Sequence, residues 1–175
     1  MFSRSRASAR RAGYLAHYAA MNVGNPTTLV EFDARRIDEL MRLWRASFEA
    51  GVGVRDPHSP SELRDYFLAE VLPRNDVRVA LQADELVGFA AASDESVAQL
   101  YVRVGFQRRG IGTQLVAWAK EHSTGSLWLY TFSRNLAARA FYEHNGFVAV
   151  ANGFEPTWQL EDIKYYWVSG AHNAA

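Results

Sequence analysis

The residues best suited to chemistry are the glycines and arginines of one short segment, Gln107-Arg108-Arg109-Gly110-Ile111-Gly112-Thr113. Two glycines spaced by one residue allow the backbone to turn tightly and to approach a ligand closely. The segment follows an apolar run and opens an amphipathic one that predicts a helix from Gly110 to about His122. At a helix start the free N–H groups point outward and the helix dipole favours an anion. These amides, with Arg108 and Arg109 beside them, predict a site for phosphate.

The same segment has a simpler interpretation as a helix cap with solvated arginines. It is too short for a P-loop and lacks that motif's Gly-Lys-Ser/Thr ending. It also lacks the third glycine and the downstream acid of a dinucleotide fingerprint, because Phe132 and Ser133 stand where the acid would be. From this segment alone, both the cap and the phosphate site remain possible.

The elements that must position this segment follow from apolar periodicity and from Gly and Pro breaks. The helices are predicted over about 34–50, from Ser61 to Pro73 with Leu63, Phe67, Leu68 and Val71 inward, over 110–122, and over 135–145 before Gly146. The strands are predicted at 27–32, 77–82, 86–92, 97–104, 126–132, 147–151 and 163–168, with Ala83-Asp84-Glu85 as a hairpin turn. This order predicts an α/β chain, more closely α+β, with a mixed sheet and helices on both faces.

Composition limits the protein to a few classes. The 175 residues suit one domain, which we place at 24–168, between an extension at 1–23 and a tail at 169–175. The absence of cysteine excludes disulfides, a cysteine nucleophile and thiolate metal sites. The five histidines are scattered, so no metal is expected. No apolar run reaches the about 20 residues that a membrane-spanning helix needs, so no membrane association is expected either.

The charge distribution is asymmetric although the formal net charge is zero. Arg4, Arg6, Arg10 and Arg11 all precede the first acid, Glu31, which leaves 15 basic against 19 acidic residues in the rest of the chain. A mildly acidic body argues against nucleic-acid binding and fits a cationic substrate.

The first 20 residues have the composition of a transit peptide. A targeting segment, a loosely docked extension and an upstream translation start before Met21 are three interpretations of it. We favour the last two, and with them a cytoplasmic protein.

Two motifs resemble those of the GCN5-related N-acetyltransferase (GNAT) family. Gln107, Gly110 and Gly112 match the family's Gln/Arg-x-x-Gly-x-Gly/Ala motif, and Leu100–Val104 is similar to its fourth strand. A second family pattern is matched downstream by Asn135, Ala138, Phe141, Tyr142, Gly146 and Phe147. The resemblance covers residues 27–168. It implies the GNAT fold, a mostly antiparallel sheet of about seven strands that splays apart between strands 4 and 5.

The resemblance also implies acetyl-CoA as co-substrate and assigns its contacts. The backbone at Val102 and Val104 would pair with the pantetheine arm, and Asn135 would contact that arm from across the splay. The pyrophosphate would lie on the loop residues Gln107, Arg108, Arg109, Gly110, Ile111, Gly112 and Thr113. Asn135 suits a helix N-cap equally well.

Tyr142 would be the catalytic residue of such an enzyme, donating a proton to the leaving thiolate. Its alternative interpretation is a core tyrosine. The family often places an acidic base on the fourth strand, where this chain has Ala98 beside Gln99, and neither can act as a base. Asp94, Glu95, Glu155 and Glu161 are alternatives from flanking loops. No base is assigned.

The expected reaction is acetyl transfer to a primary amine of a small molecule by direct attack in a ternary complex, since no cysteine is available for an acyl-enzyme. Acetylation of a protein N-terminus or lysine is the alternative, and a non-catalytic CoA-binding module is a second. The acceptor would lie against the loops at 51–60 and 152–162, and the second of these loops carries Phe154 and Trp158. Many relatives dimerise, so a homodimer is left open.

Overall fold

Four antiparallel strands from the first part of the chain form one sheet, in the order β1-β2-β3-β4. They are β1 (Thr28–Glu31), β2 (Asp76–Gln82), β3 (Glu85–Ala92) and β4 (Val97–Val102). The computed structural model describes residues 26–170. The predicted extension at 1–23 and most of the predicted tail therefore lie outside the described residues.

Three later strands form a second antiparallel sheet, in the order β5-β7-β6. They are β5 (Ser126–Phe132), β6 (Val148–Glu155) and β7 (Leu160–Val168). The two sheets meet where β5 begins beside β4, through one parallel bridge between Ser96 and Trp128. Over residues 26–170 the seven strands thus make a mostly antiparallel sheet interrupted between β4 and β5, which confirms the predicted fold class and splay.

The helices begin and end at residues whose chemistry suits those positions. Helix α1 (Ile37–Val52) follows a 3₁₀ turn capped by Asp33, and α2 (Pro60–Tyr66) starts with a capping box between Ser59 and Glu62. Helix α3 (Ile111–His122) follows Gly110, and α4 (Leu136–His144) follows Asn135. Gly146, at φ +80°, ends the turn after α4 as predicted. None of the helices in the described range is long and apolar enough to cross a membrane.

Two apolar clusters cover the two faces of the sheets, which confirms helices on both faces. The first packs α3 and α4 against Leu127, Leu129 and Tyr165. The second packs α1 and α2 against Val79 and Phe89. Trp44 contributes to the second cluster, since its ring centre lies 5.8 Å from that of Phe89 and 6.1 Å from that of Tyr101. The interrupted sheet is therefore held between two separate cores.

Several predicted boundaries are wrong in informative ways. Leu68, expected to face inward, is 41% exposed, because the helix continues beyond Tyr66 as a π turn over Phe67–Val71. The hairpin between β2 and β3 turns on two residues, Ala83 and Asp84, both with positive φ. Strand β4 ends at Val102 rather than Val104, whereas β6 and β7 extend into the predicted loop at 152–162.

Candidate active site

The splay between β4 and β5 forms a cleft of about 160 Å³. At its closed end the strands are joined by the Ser96–Trp128 bridge, where the backbone N–H of Trp128 donates to the Glu95 carbonyl at 3.0 Å. Beyond this point β4 pairs only with β3 and β5 only with β7. The side chains that line the cleft include Val52, Ala98, Gln99, Tyr101, Tyr130, Thr131, Phe132, Asn135, Tyr142, Glu155 and Asp162.

The backbone of β4 presents its unpaired edge to the cleft. The Arg103 N–H donates to the Val87 carbonyl of β3 at 2.9 Å. Because alternate residues of a strand direct their backbone groups to opposite sides, those of Leu100 and Val102 face away from β3. The Val102 carbonyl already accepts hydrogen bonds from Ser47 Oγ at 3.0 Å and Gln107 Nε2 at 3.3 Å.

Val104 does not have the backbone position that was predicted for it. The sequence prediction extended the strand to this residue, but β4 ends at Val102 and Val104 lies in the following turn with 51% of its surface exposed. The chain turns away here because Gly105 has a φ of +88°, which ends the extended run. Any ladder to an added strand can therefore involve Leu100 and Val102, and the strand geometry does not continue to Val104.

The start of α3 presents the predicted cluster of free amides. The first helical hydrogen bond runs from the Gln114 N–H to the Gly110 carbonyl at 3.0 Å, so the N–H groups of the preceding residues 111–113 lie before the helical ladder. Gly110 has a φ of +81°, a conformation that glycine adopts without steric penalty. Arg108 also has a positive φ, +65°, and the Arg109 guanidinium lies 5.0 Å from the centre of the Phe106 ring.

The remaining loop residues divide between core and surface. Ile111 is 1% exposed and anchors the first turn of α3 in the core, so only its backbone can face a ligand. Thr113 is exposed beside it. Gly112 lies against α4, since a Cβ atom on it would be 3.1 Å from two ring carbons of Phe141. The loop is thus fixed to both the core and α4.

Asn135 stands on the far side of the cleft as the N-cap of α4. Its Oδ1 accepts a hydrogen bond from the Ala138 N–H at 3.1 Å. This geometry establishes the capping role that the sequence allowed. Its Nδ2 points toward the end of α1, where a Cβ atom on Gly51 would approach it to 2.9 Å.

Tyr142 lies on α4 and lines the cleft, although only 7% of its surface is exposed. Its ring packs near Phe141, Phe147 and Tyr165, with centres 5.2 to 6.2 Å apart. Burial raises the pKa of the Tyr142 hydroxyl above its ordinary value, with a smaller contribution from Tyr101. A tyrosine hydroxyl is protonated at neutral pH even without this shift, so Tyr142 brings a proton donor to the residues that line the cleft.

Aromatic residues form a wall on the α1 side of β5, where the acceptor was predicted to bind, and one of them, Phe132, lines the cleft. Trp158, in the turn between β6 and β7, lies 4.5 Å from the Phe48 ring and 6.4 Å from the Phe132 ring. His58 packs on Trp158 at 5.4 Å. The Nδ1 atom of His58 forms a hydrogen bond with the buried carboxylate of Asp56 at 2.9 Å. Phe154 is 55% exposed and takes no part in this wall.

The structure separates the acids considered as bases. Asp94 and Glu95 lie at the closed end of the cleft, and Glu161 lines a different cavity beside Arg139. Glu155 does line the cleft, but its Oε2 accepts a hydrogen bond from the backbone N–H of Trp158 at 2.8 Å. Ala98 and Gln99 also line it, without an acidic group.

Asp162 is the cleft residue that the sequence analysis missed. It lies on β7 and reaches the same cleft as Tyr142. The available signal was the acid pair Glu161-Asp162 at the end of the predicted loop 152–162. It is a weak signal because acids are common at strand ends. Within residues 26–170 no group of three or more His, Cys, Asp and Glu side chains is placed to hold a metal ion.

Comparison with known proteins identifies this architecture. A family model described as the acetyltransferase (GNAT) domain matches residues 73–149, from the start of β2 through the Asn135–Phe147 pattern. No curated protein matches the sequence. The fold, in contrast, is shared with many solved structures.

Three of these structures illustrate the similarity. Apo YjaB from Escherichia coli has a TM-score of 0.68 at 21% identity, covering 83% of this chain and 99% of its own. PaiA N-acetyltransferase from Thermoplasma acidophilum, in complex with coenzyme A, has a TM-score of 0.66 at 15% identity, covering 82% and 99%. YncA from Salmonella typhimurium, a putative acetyltransferase with its cofactor acetyl-CoA, has a TM-score of 0.65 at 16% identity, covering 86% and 98%.

Residues 73–149 are therefore identified as an acetyltransferase (GNAT) domain. The fold that the chain shares with these three structures extends over 82–86% of its length.

Proposed function

We propose that this protein transfers the acetyl group of acetyl-CoA to a primary amine of a small molecule, by direct attack in a ternary complex. The observation that carries the proposal is the cleft between β4 and β5. It has the free edge of β4 on one side and is lined by Tyr142, while the helix that carries Tyr142 packs against Gly112 in the amide cluster of residues 111–113. A thioester arm lying along β4 would bring its carbonyl beside Tyr142.

The loop residues would hold the cofactor by charge and by main-chain hydrogen bonds. The N–H groups of 111–113 and the guanidinium groups of Arg108 and Arg109 suit a pyrophosphate. The Leu100 and Val102 backbone would hydrogen bond the pantetheine amides as an added strand does. Asn135 would contact that arm through Nδ2, since its Oδ1 is engaged by the cap.

Tyr142 would act when the carbon–sulfur bond breaks. The amine nitrogen forms a bond to the thioester carbonyl carbon, and the leaving sulfur needs a proton because a free thiolate is a poorer leaving group. A phenol is protonated at neutral pH, so Tyr142 can donate a hydrogen bond or its proton to the sulfur as negative charge develops there. It can then recover a proton from the acylated nitrogen.

An acceptor of small size is supported by the aromatic wall and the confined cleft. Phe48, Phe132 and Trp158 pack on one another, and the loop with His58 covers this side. Phe132 also lines the cleft, whose volume of about 160 Å³ suits a small amine. Acetylation of an N-terminus or a lysine side chain is the alternative, and it requires a peptide to reach the same position.

The decisive experiment measures release of CoA thiol from acetyl-CoA with pooled amino acids, polyamines, aminoglycosides and short peptides. We expect release that depends on one pool and falls about 100-fold in Tyr142→Phe, with acetyl-CoA affinity unchanged. Tyr166→Phe, at an exposed position on β7, is the matched control and should keep full activity. Release only with peptides would favour the protein acetyltransferase, and binding without release from any pool would favour a non-catalytic module.

A further inference from the structure

Asp162 occupies a central position in the second sheet. It pairs with Phe132 on β5 and with Gly153 on β6. Residues directly opposite one another in antiparallel strands place their side chains on the same face. Asp162 therefore shares the face of Phe132, whose ring packs on Phe48 of α1 at 6.0 Å. This is the side of the sheet on which the aromatic wall lies.

Tyr142 belongs to the opposite side. It is part of the core formed with α3 and α4, whereas Phe48 is part of the core formed with α1 and α2. Both Tyr142 and Asp162 nevertheless line the one cleft, because the sheet is interrupted between β4 and β5. The cleft thus connects a phenol on the cofactor side with a carboxylate on the acceptor side.

The carboxylate of Asp162 has an unused hydrogen-bonding position. Its Oδ1 is buried and has no hydrogen-bond partner in the described part of the chain. By contrast, one oxygen of Glu155 is occupied by the Trp158 N–H. Gly153 makes room for the Asp162 carboxylate, since a Cβ atom at that position would overlap Oδ1.

Four other titratable groups line the cleft, whereas α1 contributes only Val52. They are Glu155 on β6, Tyr130 on β5, Tyr101 on β4 and Tyr142 on α4. Burial, and secondly the charge of Glu155, raise the pKa of Asp162 above its ordinary value. A carboxylate with a raised pKa is a stronger base than an ordinary surface carboxylate.

We propose that Asp162 is the general base that takes the proton from the acceptor ammonium in the cleft. The inference rests on the proposed function and fills the role that Ala98 and Gln99 cannot. One proton passes from the ammonium to Asp162 and then to solvent. The freed lone pair forms the carbon–nitrogen bond as the carbon–sulfur bond breaks, the sulfur takes a proton from Tyr142, and Tyr142 regains one from the acylated nitrogen.

The test compares Asp162→Asn with Glu161→Gln, the neighbouring acid that lines a different cavity. With the amine selected from the pools, we expect Asp162→Asn to lower kcat about 100-fold and to leave acetyl-CoA affinity unchanged. Its remaining rate should keep rising with pH, because only amine that is already deprotonated can react. Glu161→Gln should retain the wild-type rate and the wild-type pH profile.

Gly153→Ala is the second variant, because it displaces the carboxylate without removing its charge. We expect a loss of rate with the cofactor affinity retained, smaller than the loss in Asp162→Asn. If the wild type transfers acetyl and Asp162→Asn keeps both its rate and its pH profile, the inference is overturned while the proposed function stands. If the wild type releases no CoA with any amine, both are overturned.

Discussion

Gly112 and Phe141 are in contact across the two helices that border the cleft, with ring carbons 3.1 Å from the position of a Cβ atom on Gly112. The next residue along α4 is Tyr142. The loop proposed to hold the pyrophosphate is therefore packed directly against the helix that carries the proposed acid. A change in the packing at Gly112 should affect both the proposed pyrophosphate loop and the position of Tyr142.

Gly112→Ala tests this contact. The added methyl group must push the Phe141 ring, and overpacking of this kind destabilises a protein by about 1–3 kcal/mol. We expect weaker acetyl-CoA binding together with a lower rate, as measured by calorimetry and by CoA release. Gly125→Ala controls for stability alone, because its φ of +104° makes alanine strained at a site where nothing lies within 4 Å. Equal affinity in both variants would contradict the prediction.

Arg108 and Arg109 offer a pair of substitutions with opposite expected effects on stability. Both Arg108→Gly and Arg109→Gly remove one positive charge and should weaken CoA binding, more at low ionic strength than at high. Arg108 has a φ of +65°, so glycine there relieves backbone strain of about 1 kcal/mol. Arg109 has no such strain, so glycine there should destabilise the fold by up to about 1 kcal/mol.

Thermal unfolding and CoA titration of these two variants distinguish the interpretations of the loop. Lower CoA affinity in both, with melting temperatures that move in opposite directions, is the expected outcome. Unchanged affinity in both would mean that the segment is only a helix cap with solvated arginines.

Asn135 can be tested separately as a cap and as a cofactor contact. Asn135→Ala removes the hydrogen bond to the Ala138 N–H and should lower the free energy of unfolding by about 1 kcal/mol. Asn135→Ser keeps a capping oxygen and should retain most of that stability. Both variants lack Nδ2, so both should bind acetyl-CoA more weakly. If Asn135→Ser bound it as tightly as the wild type, Asn135 would be a cap alone.

The buried phenols predict how stability depends on alkaline pH. Burial raises the pKa of Tyr101 to about 12 and raises that of Tyr142 as well. Tyrosines of the unfolded chain titrate near pH 10, so the unfolded state loses these protons first. Stability is therefore complete below about pH 10 and falls as the pH rises toward the folded-state values.

Urea unfolding between pH 9 and 12 measures this decline. Tyr142→Phe removes one of the buried groups and should make the decline shallower, whereas Tyr166→Phe at an exposed position should not change it. A decline of the same steepness in all three proteins would show that Tyr142 is not buried in solution.

Much of the fold could be predicted because local chemistry and tertiary context agree. Strand β3 is a continuous apolar run after Glu85, β2 has buried apolar residues at Val77, Val79 and Ala80, and each predicted helix bears an apolar face. Gly146 and Asn135 mark the limits of α4 through their own conformational preferences. The motifs placed Gly110 at the start of α3 and Tyr142 on α4, where the structure has them, because each motif lies within one short stretch of the chain.

The acceptor side could not be predicted in the same way. Strand β6 is exposed along nearly its whole length, so it has no alternation of buried and exposed residues and was assigned partly to a loop. Asp162 became a candidate only when the register placed it opposite Phe132 and Gly153. Leu68 was misassigned because a π turn changes the helical phase, which a 3.6-residue period cannot anticipate.

The interruption between β4 and β5 has a further consequence for the behaviour of the free protein. An unpaired strand edge usually invites another chain to add to it and so promotes aggregation. Here the two unpaired edges face each other across one narrow cleft, closed at the Ser96–Trp128 bridge. A cleft of about 160 Å³ has little room for an added strand with side chains on both faces. Because the two edges face each other, each should be less open to pairing with another chain than an edge on the outside of a sheet.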